Sequence, residues 1–337
     1  MKKIFTVYKL HFTSPIHLGD ERDDYTRSLR ILHSDSFYAA LTASLAKAGY
    51  PFEEDFDGDL GFHTSSLFPF YQKKEETEPV YFFPSPKISF QLPQDQIAQH
   101  KKLKKVKYFD LSFFENLAAG GVPNESMFKA IQGDFCSERE IPEFMTREML
   151  QRATVPRIPA QDGGAKDTET FYTERIRFIG ESGLYFLCEG DITLLEKALD
   201  ILKEEGIGTD RNVGNGYFSY STDSISIDLP DEGDYAMNLS LYVPEDKDEA
   251  GIMLEGKPAY SLIRRGGWIT TPPYNTYRKN RVYAFEEGSQ FQFKLSECTV
   301  KGKIVDLKPK IEYNPIDHPI YRSGIALFIP FNRQKHE

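Results

Sequence analysis

The chain has 337 residues, of which 40% are hydrophobic, and a formal net charge of −10 at pH 7. No apolar run approaches the roughly 18 residues of a membrane span, no secretory signal is present, and the isolated Cys136, Cys188 and Cys298 indicate the reducing cytoplasm instead of a disulfide framework or zinc site. The net charge argues against a protein that coats nucleic acid through its overall field, and the length predicts two domains.

The first predicted element is a strand over residues 1–12, whose alternation is typical of half-buried β-structure. One side would carry Ile4, Thr6, Tyr8, Leu10 and Phe12, and the other Val7, Lys9 and His11. Residues 33–49 predict a helix that begins at Ser34 or Asp35 as N-cap, has Phe37, Leu41 and Leu45 on one apolar face and ends at Gly49. Acidic, polar and lysine-rich stretches within residues 51–150 carry weak structural signals, and we expect them to be surface insertions.

Residues 154–174 have β-branched and aromatic ends around a polar middle, which predicts a protruding β-hairpin arm or a long loop. Residues 182–190 predict a buried strand, and the next helix begins with a Thr193/Glu196 capping box and has an apolar face of Leu195, Leu199 and Leu202. A glycine-rich loop over residues 206–216 leads into another strand. This order predicts an α+β fold of two ferredoxin-like, or RRM-like, domains. We place them at residues 1–230 and 231–337, with the second as a smaller version of the first.

The glycine loop, "GIGTDRNVGNG", fits no familiar ligand motif. It lacks the Gly-Lys-Ser/Thr ending of a P-loop. It follows a helix and opens a strand, whereas a dinucleotide fingerprint does the reverse. As a calcium loop it would place Gly214 at a carboxylate position. The sequence thus indicates no cofactor and no metal. Two readings remain: bare peptide N–H groups that hold phosphates beside Arg211, or a helix-ending turn with a bulge.

Charge is segregated in the second half of the chain. Residues 228–255 contain nine acids and one lysine, whereas residues 256–285 contain six cations and no acid. These cations alternate with glycines and aromatics, including Trp268, a composition typical of single-stranded RNA binding. They are Lys257, Arg264, Arg265, Arg278, Lys279 and Arg281. Coulomb forces act over only about 8 to 10 Å in physiological salt, so a local basic surface can bind RNA on an acidic protein.

Five motifs in this order resemble a known family: "HSDSFYAAL", "VPRI…FYTERIRF", "GIGTDRNVGNGYF", "RRGGW" and "HPIYRSGIALFIP". The chain is similar to subunit four of the Csm complex, the RAMP-superfamily member at the foot of the type III-A CRISPR effector. The resemblance implies a non-catalytic subunit in antiviral defence that grips the repeat-derived 5′ tag of CRISPR RNA. It also implies that the subunit links the large palm and nuclease subunit to the repeated backbone RAMP subunits.

The resemblance carries these roles onto particular residues. The glycine loop would lie on the tag, the arm around Arg157 would act as a thumb that displaces a base, and the second-half cations would line the same groove. His17 could contact RNA from the end of the first strand. The implied RNA-binding residues are Gly208, Thr209, Arg211, Asn212, Val213, Gly214, Asn215, Gly216, His17, Arg157, Arg264, Arg265, Arg278, Lys279 and Arg281.

Two other functions stay open from the sequence. Relatives in the superfamily cleave repeat RNA without metal, and His33 or His17 could act as the general base that deprotonates a ribose hydroxyl. The His33–Asp35 run cannot be a serine triad, because adjacent residues cannot face one another as nucleophile, base and orienter. A pure protein scaffold would bind no isolated RNA, whereas an RNA groove would lose affinity steeply with salt.

Overall fold

The computed structural model describes residues 1–19, 25–76, 78–90, 97–154, 169–310 and 315–333. Within these ranges the strands are β1 Lys2–Phe12, β2 Phe62–Thr64, β3 Phe68–Gln72, β4 Val80–Pro84, β5 Tyr108–Asp110, β6 Ile131–Gln132, β7 Phe135–Cys136, β8 Met145–Thr154, β9 Glu169–Phe178, β10 Glu181–Gly190, β11 Phe218–Asp228, β12 Tyr235–Asn238, β13 Leu262–Arg265, β14 Val282–Phe285, β15 Gln290–Phe291, β16 Thr299–Lys301, β17 Ile304–Asp306, β18 Tyr321–Ser323 and β19 Ala326–Phe331. The helices are α1 Ser34–Lys47, α2 Ile97–Leu103, α3 Leu111–Ala118, α4 Glu125–Lys129, α5 Ile192–Glu205 and α6 Lys247–Leu254. None of these helices combines the length and apolar character needed to span a membrane.

The main sheet has nine strands in the order β11-β1-β10-β3-β4-β5-β7-β6, with β2 beside β10. The pairs β11-β1, β1-β10 and β10-β3 are all antiparallel. Helix α1 lies between β1 and β3 in the chain, and α5 lies between β10 and β11. Both helices pack on one face of the sheet, where Leu41, Leu195 and Leu199 are fully buried. The mixed α/β class is therefore confirmed.

Strand β1 corrects the expectation of a half-buried strand. Phe5 and Val7 are buried in the core on one face, and Tyr8 and Leu10 are buried under α1 and α5 on the other. Ile4, which we expected inside, is 69% exposed. The period of two is present, but both faces are covered because the second half of the chain packs on the side opposite to the helices.

Residues 51–150 are not surface insertions. They supply β2 to β7, and thus the side of the main sheet that extends from β10. Their aromatic side chains are almost fully buried, among them Phe70, Phe82, Phe109 and Phe114. The polar stretches noted in the sequence are the connections between these strands. Short aromatic strands such as Phe68–Gln72 give little periodicity, and for that reason the sequence pattern missed them.

The second half forms a sheet in the order β15-β12-β19-β16. Its Met237, Leu327 and Ile329 belong to the same core as Phe5 of β1, so residue 230 does not separate two independent cores. In the described part of residues 231–333, α6 is the one α-helix. The second half therefore lacks a counterpart to one of the two helices α1 and α5 in its described residues, and in this respect it is not a smaller copy of the first half.

Both predicted helix starts need correction. The residue before α1 is His33, which makes no side-chain cap, while Ser34 and Asp35 lie inside the first turn. Helix α5 is capped by Asp191, whose Oδ1 accepts from the Thr193 N–H at 2.8 Å, in place of a Thr193/Glu196 box. The apolar faces predicted for both helices are buried, and Gly49 follows α1 with a positive φ of 75°.

We predict that Phe109→Ala lowers the free energy of unfolding by about 3 to 5 kcal/mol, because the ring is fully buried and its loss leaves a cavity. Val122→Ala is the matched control in the same region, since its side chain is 42% exposed, and it should change stability by less than about 0.5 kcal/mol. Urea unfolding followed by circular dichroism measures both values. Equal, small effects would mean that residues 51–150 do not build the core.

Candidate functional site

The glycine loop starts where α5 ends, and its own backbone closes it. Gly206 ends the helix with a φ of +75°. The Ile207 N–H donates to the Gly216 carbonyl oxygen at 2.9 Å, and the Gly216 N–H donates to the Pro15 carbonyl oxygen at 2.9 Å. Between these contacts the chain makes a 3-10 turn over Arg211–Val213. Asp210 precedes the turn with a φ of +63°, a strained left-handed conformation for a residue with a Cβ.

Most of the loop glycines serve the loop itself. A Cβ on Gly208 would lie 2.5 Å from the His17 carbonyl oxygen, and one on Gly216 would lie 1.9 Å from the Ile207 oxygen. A Cβ on Gly206 would lie 2.8 Å from the Asn215 oxygen, whereas one on Gly214 would meet nothing within 4 Å. The interpretation of the loop as a helix-ending turn thus explains why three of the four positions are glycines. Gly206 and Gly216 are also buried, while Gly208 reaches the surface.

The loop is fixed to the segment that follows β1 and to the hairpin of β8 and β9, which we call the arm. The Thr209 N–H donates to the His17 carbonyl oxygen at 2.9 Å. Arg152 of β8 pairs with Asp210 at 2.8 Å, and Arg175 of β9 donates to Asn215 at 3.4 Å. We call this assembly the loop–arm surface. It exposes Thr209 in part, Asn212, Val213 and the aromatic rings of Phe171 and Tyr172.

His17 and Asn215 do not have the exposed positions that an RNA contact requires. Each is only 1% exposed. The His17 Nδ1 lies 2.6 Å from the Glu174 carbonyl oxygen, which ties the end of β1 to the arm. Asn215 is turned inward toward Arg175. Both residues position the loop, and their burial argues against side-chain contacts with RNA. Arg211 remains partly exposed, with Nη1 3.6 Å from a Glu205 carboxylate oxygen.

Arg265 is likewise committed to the interior. Its Nε and Nη2 donate to the two carboxylate oxygens of Asp35 at 3.0 and 3.1 Å, and Arg322 lies 3.8 Å from the same carboxylate. Burial alone would raise the pKa of Asp35, but the two guanidinium groups hold it well below its usual range. Arg265 is therefore a link between the second half and α1, and this pairing argues against a role for its guanidinium in an RNA groove.

The other second-half cations are more accessible. Arg264 and Arg281 are exposed, and Arg278 lies over the Trp268 ring at 4.7 Å. Lys279 is half-buried, and burial together with the nearby Arg322 lowers its pKa to about 7. Lys257 is exposed.

The glycine loop and the second-half cations lie at opposite ends of α1. At its start, Asp35 binds Arg265. Near its end, Ser44 and Lys47 contact Glu205, which in turn contacts Arg211. Nine to twelve helical residues separate these contacts, a distance of roughly 14 to 18 Å at 1.5 Å per residue. The two surfaces are thus separate and do not form the two walls of one narrow groove, as the sequence led us to expect.

The His33–Asp35 motif joins the two halves of the chain. The His33 Nδ1 lies 2.8 Å from Glu287, whose carboxylate also accepts a hydrogen bond from the Ser66 hydroxyl. Burial lowers the pKa of His33, but the carboxylate beside it raises the pKa by more, to above the ordinary 6.5. The same contact lowers the pKa of Glu287. Because His33 is 5% exposed, it does not face solvent as a general base would.

Arg157 lies outside the described residues. The sequence analysis did not identify Arg152 and Arg175, which hold the glycine loop, or Arg322, which lies beside Asp35 where the second half contacts α1. Part of this could have been predicted, because a cation within a partly buried strand, such as Arg175 in "TERIRF", needs an acidic or amide partner.

Comparisons with known proteins agree with this architecture. Residues 231–331 match the family model for the CRISPR Csm4 C-terminal domain. A Csm4 protein of Methanocaldococcus jannaschii is 22% identical over 98% of both chains. A Csm4 protein of Thermococcus onnurineus strain NA1 is 29% identical over 58% of this chain and 57% of its own.

Solved structures show the same fold. A Csm1-Csm4 cassette in complex with cA4 contains a chain with a TM-score of 0.56 and 18% identity, covering 99% of this chain and 100% of that one. A Csm3-Csm4 subcomplex of a type III-A interference complex gives a TM-score of 0.56 and 19% identity, over 98% and 100%. The solved structures thus share the fold of this chain. In sequence the chain is similar to Csm4 proteins, and the resemblance drawn from its motifs is confirmed.

Gly208→Ala should destabilise the protein more than Gly214→Ala, although both glycines have a φ of +90°. The left-handed conformation alone costs an alanine roughly 1 to 2 kcal/mol. Only at Gly208 does the added Cβ also meet a backbone oxygen at 2.5 Å. Urea midpoints of the two variants compare them directly, and indistinguishable midpoints would contradict the packing described here.

The His33–Glu287 pair makes stability dependent on pH. The raised pKa of His33 means that its contribution is complete below about 6.5 and is lost as pH rises through the folded-state value. The free energy of unfolding should therefore fall above pH 6.5, by at most about 1.4 kcal/mol per pH unit. His33→Gln, which cannot carry the charge, should lack this fall. Parallel pH profiles for the two proteins would show that the pair carries no such linkage.

Proposed function

We propose that this protein is a non-catalytic subunit of a type III-A CRISPR interference complex that grips the repeat-derived 5′ tag of CRISPR RNA. The observation that carries the proposal is the loop–arm surface, where an exposed turn with the partly exposed Arg211 lies beside exposed aromatic rings. Phosphates bind to such turns through peptide N–H groups and a guanidinium, and bases stack on aromatic rings. The relationship to Csm4 supports it independently.

On this proposal, the RNA-facing part of the glycine loop is Gly208 to Gly214, with Arg211 as the cation. Thr209, Asn212 and Val213 complete the exposed turn. The arm tip around Arg157 would act as the thumb beside the tag. Arg264, Arg278, Lys279 and Arg281 form a second basic surface that would contact a neighbouring part of the RNA. Gly216 shapes the loop, as His17, Asn215 and Arg265 shape the surfaces around it.

We extend the same proposal to partners and location. Csm4 chains have been solved with Csm1 and with Csm3. By that likeness, this chain would join the large palm and nuclease subunit to a backbone RAMP subunit in the cytoplasm. We assign the first half to a ferredoxin-like domain, which is supported by its antiparallel order β11-β1-β10-β3. The second half would be a reduced domain of the same origin.

An endoribonuclease based on His33 or His17 is less well supported. Both imidazoles are buried, and each has a hydrogen bond from Nδ1 to a protein oxygen. Neither is placed to reach a ribose hydroxyl, which a general base must approach within hydrogen-bond distance.

Arg211→Ala tests the proposal. Loss of one phosphate contact should weaken binding of RNA that carries the 5′ tag about fourfold at physiological salt and should reduce the slope of log affinity against log salt by about 0.7. Lys203→Ala is the control, because Lys203 lies on α5 ahead of the loop and pairs with Asp200. Fluorescence anisotropy over a salt series measures both. Unchanged affinity would remove Arg211 from the site, and a wild-type chain that binds no RNA would point to a pure protein scaffold.

A further inference from the structure

A cavity of about 730 Å³ lies away from the glycine loop. It is lined by parts of three segments, within residues 27–33, 84–90 and 100–108, together with Asp134, Arg147 and the second-half residues Ser261, Glu286 and Glu287. We call it the 27–108 groove. The lysine-rich stretch "HKKLKKVKYFD", which the sequence left without a function, supplies one of its sides.

The walls of the 27–108 groove are strongly cationic. Six lysines and arginines line it, namely Arg27, Arg30, Lys87, Lys104, Lys107 and Arg147, along with His100. Its three acids are engaged with cations: Asp134 with Arg30 at 2.5 Å, Glu286 with Lys87 at 2.8 Å, and Glu287 with His33. Arg27, Lys104 and Lys107 are exposed and have no acidic partner among the residues that the structure describes.

This lining fits a polyanion better than a neutral small molecule. Small-molecule pockets are predominantly apolar, with a few polar groups for orientation. Here cations come from several chain segments, and between them lie the apolar side chains of Ile88, Phe90 and Leu103. A cationic groove with an aromatic ring among its cations is the arrangement with which proteins bind single-stranded nucleic acid.

The groove is linked to the loop–arm surface through Glu174 of β9, which is buried. One Glu174 carboxylate oxygen accepts from the Ser28 N–H at 2.6 Å, and the other pairs with Arg147 at 3.3 Å. The Glu174 carbonyl oxygen contacts His17, whose own carbonyl oxygen accepts from Thr209 of the glycine loop. Ser28 and Arg147 line the groove, so a network of buried hydrogen bonds connects its lining to the loop–arm surface.

From these contacts we propose that the 27–108 groove binds the sugar-phosphate backbone of a single RNA strand, the same strand whose adjoining part lies on the glycine loop. This inference rests on the proposed function and adds a second, sequence-independent contact to it. Phosphate contacts position a strand without reading its bases. The groove therefore holds the strand in place, whatever its sequence, as it leaves the loop–arm surface.

The test compares two charge-reversal pairs in the full-length chain. Lys104→Glu with Lys107→Glu changes the groove. Lys101→Glu with Lys102→Glu makes the same change of net charge on exposed α2 lysines that do not line it. For labelled single-stranded RNA, loss of two phosphate contacts predicts about tenfold weaker binding at physiological salt and a salt slope smaller by about 1.4 for the groove pair only. Thermal melting checks that both variants are folded.

Each of the other outcomes would contradict RNA binding by the 27–108 groove for a different reason. Equal losses for both pairs would indicate general electrostatic attraction. Unchanged RNA binding by the groove pair, with weakened binding by Arg211→Ala, would reject the groove but leave the proposed function standing. Normal RNA binding with loss of a protein subunit would assign the groove to an acidic protein segment. A wild-type chain that binds no RNA would reject the proposed function itself.

Photocrosslinking gives a second, independent measurement that needs no variant. With 4-thiouridine placed along the RNA, crosslinked peptides should come from residues 84–108 as well as from residues 206–217. Crosslinks confined to the glycine loop would overturn the groove.

Discussion

The structure depends on the buried polar contact between the start of α1 and the second half of the chain. Asp35 binds Arg265 and Arg322, and His33 binds Glu287. A buried charge that loses its partner costs about 3 to 5 kcal/mol, so these groups cannot separate without a large penalty. The contact therefore fixes how the second half lies against α1, and with it the covered second face of the main sheet.

Helix α1 turns this local contact into a long-range constraint. Its first turn is held by the second half, and its last turn contacts Glu205 at the end of α5, where the glycine loop begins. The loop is then fixed from three directions, by Pro15 and His17 of the first segment, by the arm and by its own closing hydrogen bonds. The strained Asp210 is tolerated because these contacts over-determine the turn. A rigid turn can present peptide groups to a ligand without an ordering cost.

The sequence predicted those features that depend on local patterns. The strand β1, the apolar faces of α1 and α5, and the glycine after α1 all follow from periodicity and backbone preference. Other features were missed because they depend on distant contacts or on elements too short to show a pattern. Nothing in residues 1–12 tells that Phe5 will join Met237 in one core, and short aromatic strands such as Tyr108–Asp110 have too few residues for a period. Arg265 looked free for RNA because its partner, Asp35, lies 230 residues away.

The difference between buried, paired side chains and exposed ones explains how an acidic chain can hold basic surfaces. Acids such as Asp35, Glu174 and Glu287 are paired with cations or orient polar groups inside the protein, and a neutralised pair adds little net charge to the field of the exposed grooves. Cations such as Arg27, Lys104 and Arg264 remain at the surface. A formal charge of −10 counts both groups alike. Because salt screens exposed charges beyond about 10 Å, the sign that an approaching phosphate meets is set by its few nearest side chains and not by that sum.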